Sequence, residues 1–219
     1  MSISPVRIYP LGDEALVCES PPPATLDVQH RVWAVAALAR DWPPVREVVP
    51  GMNNLTITFD PLSADPDALA AQLAHAWQHA DDAPIAGRDV DVPVEYGGAF
   101  GPDLEAVAAH AKLTPQQVVE RHAAGRYIVF FDGFQPGFAY MGGLDASLHT
   151  PRRKEPRVAV PAGSVGIGGE QTGIYPAASP GGWQLIGRTQ LALFDPSRQP
   201  PALLLPGDRV RFTIAGVHA

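Results

Sequence analysis

Between Gly133 and Gly187 the chain places 12 of its 21 glycines. This density rules out a helix there, because each interior glycine costs roughly 1 kcal/mol relative to alanine. Glycines in such numbers serve backbone shape. They admit positive φ and let main chain approach a ligand or a second strand closely, as in binding surfaces built from loops. The segment runs through Asp132-Gly-Phe-Gln-Pro-Gly-Phe-Ala-Tyr-Met-Gly-Gly-Leu-Asp145, then Pro151-Arg-Arg-Lys-Glu-Pro-Arg157, then Val160-Pro-Ala-Gly-Ser-Val-Gly-Ile-Gly-Gly-Glu-Gln-Thr-Gly-Ile-Tyr-Pro176. From Gly133 to Arg188 the chain carries five basic residues (Arg152, Arg153, Lys154, Arg157, Arg188) against three acidic ones (Asp145, Glu155, Glu170), while the chain as a whole is −7. An anionic ligand is the expectation.

That net charge, with only two lysines in the chain, leaves no phosphate-tracking stripe and argues against nucleic acid. No apolar run approaches the roughly 18 to 20 residues of a membrane span, and the first residues have neither the basic start nor the apolar core of a signal peptide. The expectation is a cytoplasmic protein that neither crosses a membrane nor is exported. The single Cys18 excludes an internal disulfide and, within Glu14-Ala-Leu-Val-Cys-Glu19, reads as a buried strand residue.

Two domains are expected, 1–86 and 87–219. In the first, Val6–Tyr9 and Ala15–Cys18 read as strands. A helix follows from Thr25 to Arg40, stopping before Pro43-Pro44; then come strands Val45–Val49 and Asn54–Phe59. A second helix is capped by Asp65, with Leu69, Leu73, Ala76 and Trp77 on one face. The order ββαββα makes a small α+β sandwich, and Asp81–Arg88 reads as a linker. The second domain opens with the alternating strand Val90–Glu95 and two helices, Pro102–Ala111 and one with a Thr114/Gln117 capping box that ends at Gly125. Beyond it Tyr127–Phe131, Val158–Val160, Trp183–Ile186, Leu191–Phe194 and Val210–Ile214 are short strands between Pro/Gly turns, as in a barrel or sandwich.

Familiar catalytic motifs fail. Gly163 to Gly168 is followed by Gly169 where a P-loop needs lysine, and Gly166 and Gly168 would need glycine where Gln171 stands for a dinucleotide fingerprint. Ser164 lies in Ala162-Gly-Ser-Val-Gly166, which is not a nucleophile elbow. His75 and His79 share a helix face without an acidic partner, so no metal site is expected. His122 ends a helix just before the strand leading into the glycine-rich segment, and reads equally as a general base or as a structural group at a helix C-terminus.

The segments Gly133–Asp145, Thr150–Arg157, Val160–Gly166, Gly169–Pro176 and Ser179–Thr189 resemble the allophanate hydrolase subunit 1 family, whose members include the kinase inhibitor KipI and the B subunit of a bacterial ATP-dependent 5-oxoprolinase. Gly12–Leu16, Gly97–Leu104 and Leu205–Phe212 fit the same pattern, so the resemblance covers almost the whole chain. It implies a small N-terminal α+β domain followed by a C-terminal cyclophilin-like β-barrel, similar to one half of the carboxyltransferase module of urea carboxylase. It also implies two partners from the 5-oxoprolinase: the KipA-like C subunit, which is a second cyclophilin-like chain, and the A subunit. With the chain ending five residues after Ile214, the second half is expected on a separate partner.

In the 5-oxoprolinase context the resemblance implies opening of the 5-oxo-L-proline lactam to L-glutamate, with ATP consumed by the complex and its site on this chain open. Lactam opening needs donors for a developing oxyanion. Backbone N–H groups around Gly168 and Gly169 and the side chains of Gln171 and Thr172 are the candidates. Arg152 or Arg153 would grip the substrate carboxylate, and Glu170 and His122 would carry protons. Each has a structural alternative: partner interface for the arginines, a solvated turn for Glu170, loop support for Gln171. Phe134, Phe138, Tyr140, Tyr175 and Trp183 divide between barrel core and pocket wall, core being the commoner fate. Two other functions stay open: a KipI-like inhibitor of a sensor histidine kinase, which would need an exposed patch and no catalytic groups, and a carboxyltransferase-like subunit of a urea or allophanate system, for which the chain has no biotin-carrier segment.

Overall fold

In the computed structural model, which describes residues 5–81 and 86–218, strict alternation along β4 (Asn54–Phe59) buries Leu55, Ile57 and Phe59 on one sheet face. The pleat alone accounts for this, since successive side chains point to opposite faces. β1 (Arg7–Pro10), β2 (Ala15–Glu19) and β3 (Val45–Pro50) complete an antiparallel sheet of order β1-β2-β4-β3. Helices α1 (Leu26–Ala39) and α2 (Pro66–His79) cover it. Thr25 starts α1 by accepting the Val28 N–H, and Asp65 starts α2 by accepting those of Asp67 and Ala68, with Pro66 in the first turn. Val32, Val35, Leu73 and Trp77 are buried against the sheet together with Cys18, whose thiol is pushed up to about 12 by desolvation.

This first compact unit spans Met1–Ile85, and a second spans Ala86–Ala219. The expected linker Asp81–Arg88 lies partly outside the described residues. In the second unit β5 (Asp89–Gly97), β6 (Tyr127–Asp132), β7 (Ala139–Gly142), β9 (Ser164–Gly168), β10 (Gln171–Ile174), β12 (Gln184–Arg188) and β13 (Arg209–His218) close a seven-stranded barrel of order β10-β7-β6-β13-β5-β12-β9. The parallel β5–β13 pair joins the barrel's first and last strands. Val92, Val94, Met141, Val165, Ile167, Ile174 and Phe212 fill its interior. α3 (Leu104–Ala111) and α4 (Pro115–Ala124) precede β6, and α4 carries the full Thr114/Gln117 capping box. β8 (Arg157–Val160) and β11 (Ser179–Gly181) form a separate ribbon. The α+β fold with a closed barrel is as expected, and no described helix is long and apolar enough to cross a membrane.

Two details differ from the expectations. The glycine-rich stretch is not loop throughout: β7, β9 and β10 run through it. Leu191–Phe194 is not a strand, keeping only an isolated bridge between Phe194 and Ala202. The Leu193 carbonyl accepts the Leu203 N–H at 2.7 Å, and the Arg198 guanidinium also donates to the carbonyls of Ala192, Leu193 and Pro201, at 3.4, 3.3 and 2.8 Å.

Candidate functional site

On β9 the odd residues Val165 and Ile167 point into the barrel, so Gly166 and Gly168 face outward. A Cβ on Gly168 would stand 2.5 Å from the Trp183 ring, one on Gly166 3.2 Å from the Trp183 Cβ, and one on Gly173 of β10 3.1 Å from the same indole. The glycines therefore form a flat seat on the barrel's outer wall for one tryptophan. Phe138 meets both that indole and the Tyr175 ring nearly edge-on, at 5.5 Å and 5.3 Å, as ring quadrupoles favour. With Phe134 and Tyr140 they wall a cleft of about 180 Å³. All five aromatic residues singled out from the sequence line it, although Phe138, Tyr175 and Trp183 also form a small buried cluster.

The cleft's polar side is Arg152 and Arg153, with Pro156, Gly181 and Gly182. Behind it lies the buried Asp103. Its Oδ1 accepts from Arg153 Nη1 at 3.1 Å and Arg157 Nη2 at 2.7 Å, and its Oδ2 accepts the Leu185 N–H at 2.7 Å. Engaged this way, Asp103 makes no side-chain cap for α3, which starts at Leu104 rather than at Pro102. Arg157 Nη1 is buried with no hydrogen-bond partner. Arg152 is exposed and lies over Trp183, its guanidinium carbon 5.8 Å from the ring centroid. Sequence reasoning missed Asp103 as an organising group. Its partners lie 50, 54 and 82 residues away, so no local pattern marks it.

The other expected site residues are not gathered at the cleft. His122 is fully buried in the barrel end, with Nδ1 2.8 Å from the Tyr96 hydroxyl and Nε2 3.0 Å from Thr172 Oγ1. Thr172 Oγ1 also donates to the Gly166 carbonyl at 3.0 Å, so it accepts from His122 Nε2–H and Nδ1 accepts from Tyr96. Desolvation pushes the imidazole down to about 3 and keeps it neutral. In this arrangement His122 and Thr172 stabilise the barrel and have no open path to a substrate. Glu170 is exposed at the β9–β10 turn. The Gly169 N–H is already donated to the Thr150 carbonyl, at 2.8 Å, and Gly168 is in register with Gln171. Gln171 stands on the sheet face of Gly168, and its Nε2 is buried without a partner, an unspent donor. His75 and His79 stack at 4.2 Å, and among the described residues no group of three His, Cys, Asp or Glu is placed to hold a metal.

A larger groove of about 580 Å³ runs along β5, β6 and β13. Four of its five charged residues are paired across the strands: Arg209 with Asp89 at 2.7 Å and Arg211 with Asp91 at 2.6 Å. Its charge is largely spent internally, whereas the smaller cleft has cations to spare and an aromatic wall, so the smaller one is the candidate site. A second overlooked group is Asp132 at the end of β6. Its Oδ1 is buried without a partner, and desolvation, then repulsion from Asp208, push the carboxyl up to about 6.

The profile of the carboxyltransferase domain, subdomain C and D, matches residues 6–204. The chain belongs to that family. Among relatives of this carboxyltransferase-domain protein, the 5-oxoprolinase B subunit of Escherichia coli O157:H7 is 54% identical over 207 residues, covering 94% of each chain. The 5-oxoprolinase B subunit of Haemophilus influenzae is 47% identical over 213 residues, covering 97% of this chain and 100% of that one. Among solved structures, the urea amidolyase of K. lactis superposes with a TM-score of 0.83 at 21% identity, over 99% of this chain and 15% of that much longer one, a likeness of fold.

Proposed function

We propose that this carboxyltransferase-domain chain is the B subunit of an ATP-dependent 5-oxoprolinase that opens 5-oxo-L-proline to L-glutamate, acting with a second cyclophilin-like chain, the C subunit, and with the A subunit. The observation that carries this reading is the cleft: an aromatic box of about 180 Å³ with two arginines on its rim suits a small lactam bearing a carboxylate. The names of the relatives, at 54% and 47% identity over nearly the whole chain, point the same way.

The chemistry divides between binding and activation. Arg152 and Arg153 supply positive charge at the rim. The unspent carboxamide N–H of Gln171 stands on the same sheet face as Trp183's glycine seat although outside the cleft's lining, and is assigned as a donor for a developing lactam oxyanion. Of the two proton carriers expected from the sequence, Glu170 alone is solvent-accessible. ATP does not fit a glycine cradle here, because the N–H groups of Gly163 and Gly169 are donated to Tyr175 and Thr150; nucleotide binding is assigned to the companion subunits. The test is to purify the chain alone and with the products of neighbouring subunit genes, and to measure ATP-dependent glutamate release from 5-oxo-L-proline. Release by the assembled complex and none by the isolated chain is expected. Turnover by the chain alone, or no turnover by the complex, would reject the proposal.

A further inference from the structure

The guanidinium groups around the cleft are not equivalent. Arg153 and Arg157 are tied to one oxygen of Asp103. Arg152 has no carboxylate partner among the described residues and lies over the Trp183 ring. Its backbone is nonetheless fixed on both sides, because the Pro151 carbonyl accepts from Gln184 Nε2 at 2.9 Å and the Arg153 N–H donates to the Gly182 carbonyl at 2.7 Å. A held main chain with an unspent guanidinium is preorganised for an incoming anion. Near the cleft three guanidinium groups face one carboxylate, and Arg157 Nη1 is a buried N–H donor without a partner. The positive surplus is therefore built into the site.

We propose that the cleft binds a small ring-bearing carboxylate, and that Arg152, not Arg153, pairs with the carboxylate. Asp103 acts as a positioning residue that holds Arg153 and Arg157 back from it. The ring lies against the aromatic wall of the cleft, and the small volume excludes a long chain. Identifying the occupant as 5-oxo-L-proline rests on the functional reading above; the anion site itself does not. A planar guanidinium over an indole offers two parallel N–H donors to a carboxylate, a geometry that lysine cannot reproduce.

The test is calorimetric titration of the full chain with 5-oxo-L-proline, with 2-pyrrolidinone, which is the same lactam without the carboxylate, and with inorganic phosphate. Binding of 5-oxo-L-proline well above the other two is expected. Arg152→Gln should weaken it about tenfold or more and Arg152→Lys less. Arg153→Gln should lower the melting temperature, which Arg152→Gln should not. Equal binding by Arg152→Gln, equal binding of 2-pyrrolidinone, preference for phosphate, or no binding by the folded chain would each overturn the proposal. The two readings separate cleanly. Arg152-dependent binding in a complex that releases no glutamate keeps the site and removes the 5-oxoprolinase assignment. Glutamate release with an unchanged KM in the Arg152→Gln complex does the reverse.

Discussion

Removing the Asp103 carboxylate would leave Arg153 and Arg157 beside each other and the Leu185 N–H without its acceptor. The cost of breaking a fully buried pair, about 3–5 kcal/mol, is an upper bound here, because the two arginine side chains remain 37% and 22% exposed and can turn to water. Asp103→Ala is expected to lose about 1–3 kcal/mol, read as a lower urea midpoint with an unchanged slope. A midpoint within error of the wild type would show that the network contributes nothing. Gly168 makes the opposite test. Adding a Cβ there brings it to 2.5 Å from the indole, so Gly168→Ala must displace Trp183, and overpacking of this kind costs about 1–3 kcal/mol. The near-ultraviolet circular dichroism of the cleft aromatics should change with it. An unaltered spectrum would mean that the seat is looser than the structure shows.

Among the elements, those with ordinary signals were legible in the sequence: both helices of the first unit with the Asp65 cap of the second, the Thr114/Gln117 capping box, and the alternating β4 and β5. The strands hidden by glycine were not. Val165-Gly-Ile-Gly168 and Thr172-Gly-Ile174 alternate with period two, but glycine takes the alternate positions, so the pattern resembles a loop although its apolar residues are those of a strand. Leu191–Phe194 failed the other way, an apolar run that keeps one backbone bond, Leu203 N–H to the Leu193 carbonyl, and one isolated bridge, with the Arg198 guanidinium on the carbonyls of Ala192 and Leu193. Of the candidate site, the two arginines and five aromatics were found by composition and motif. Asp103 and Asp132 were not, because what distinguishes them is burial and distant neighbours. The capping box offers a simple check on the helical part: Thr114→Ala removes the acceptor for the Gln117 N–H and should cost about 1 kcal/mol in urea unfolding. Loss below a few tenths would mean that α4 is held by packing alone.

At the scale of the whole molecule, one buried and one half-buried group of the second unit give the stability a pH dependence of opposite signs. His122 has its pKa lowered from 6.5 to about 3 by desolvation. Below 6.5 the unfolded chain takes up a proton that the folded chain refuses, so stability present above that value is lost as pH falls toward 3. Asp132 has its pKa raised from 3.8 to about 6. Between those values the folded chain holds a proton that the unfolded chain has released, so its contribution is full below 3.8 and lost as pH rises through 6. The histidine shift is the larger, and the carboxylates of Asp89, Asp91, Asp145, Asp195 and Asp208, all lowered mainly or in part by hydrogen bonds, add to the loss at low pH. The urea midpoint is therefore expected to fall on acidification from about pH 7 to about pH 4.5. His122→Gln should be less stable near neutrality but should abolish or reverse that fall, since the group responsible no longer titrates and Asp132 acts in the opposite direction. Asp132→Asn should do the converse, gaining relative to the wild type at about pH 7.5, where the half-buried carboxylate is charged and its Oδ1 lacks a partner, and losing that advantage by about pH 4.5. Midpoints measured at half-unit steps would decide it: profiles of the two variants running parallel to the wild type would show that neither group titrates inside the folded barrel.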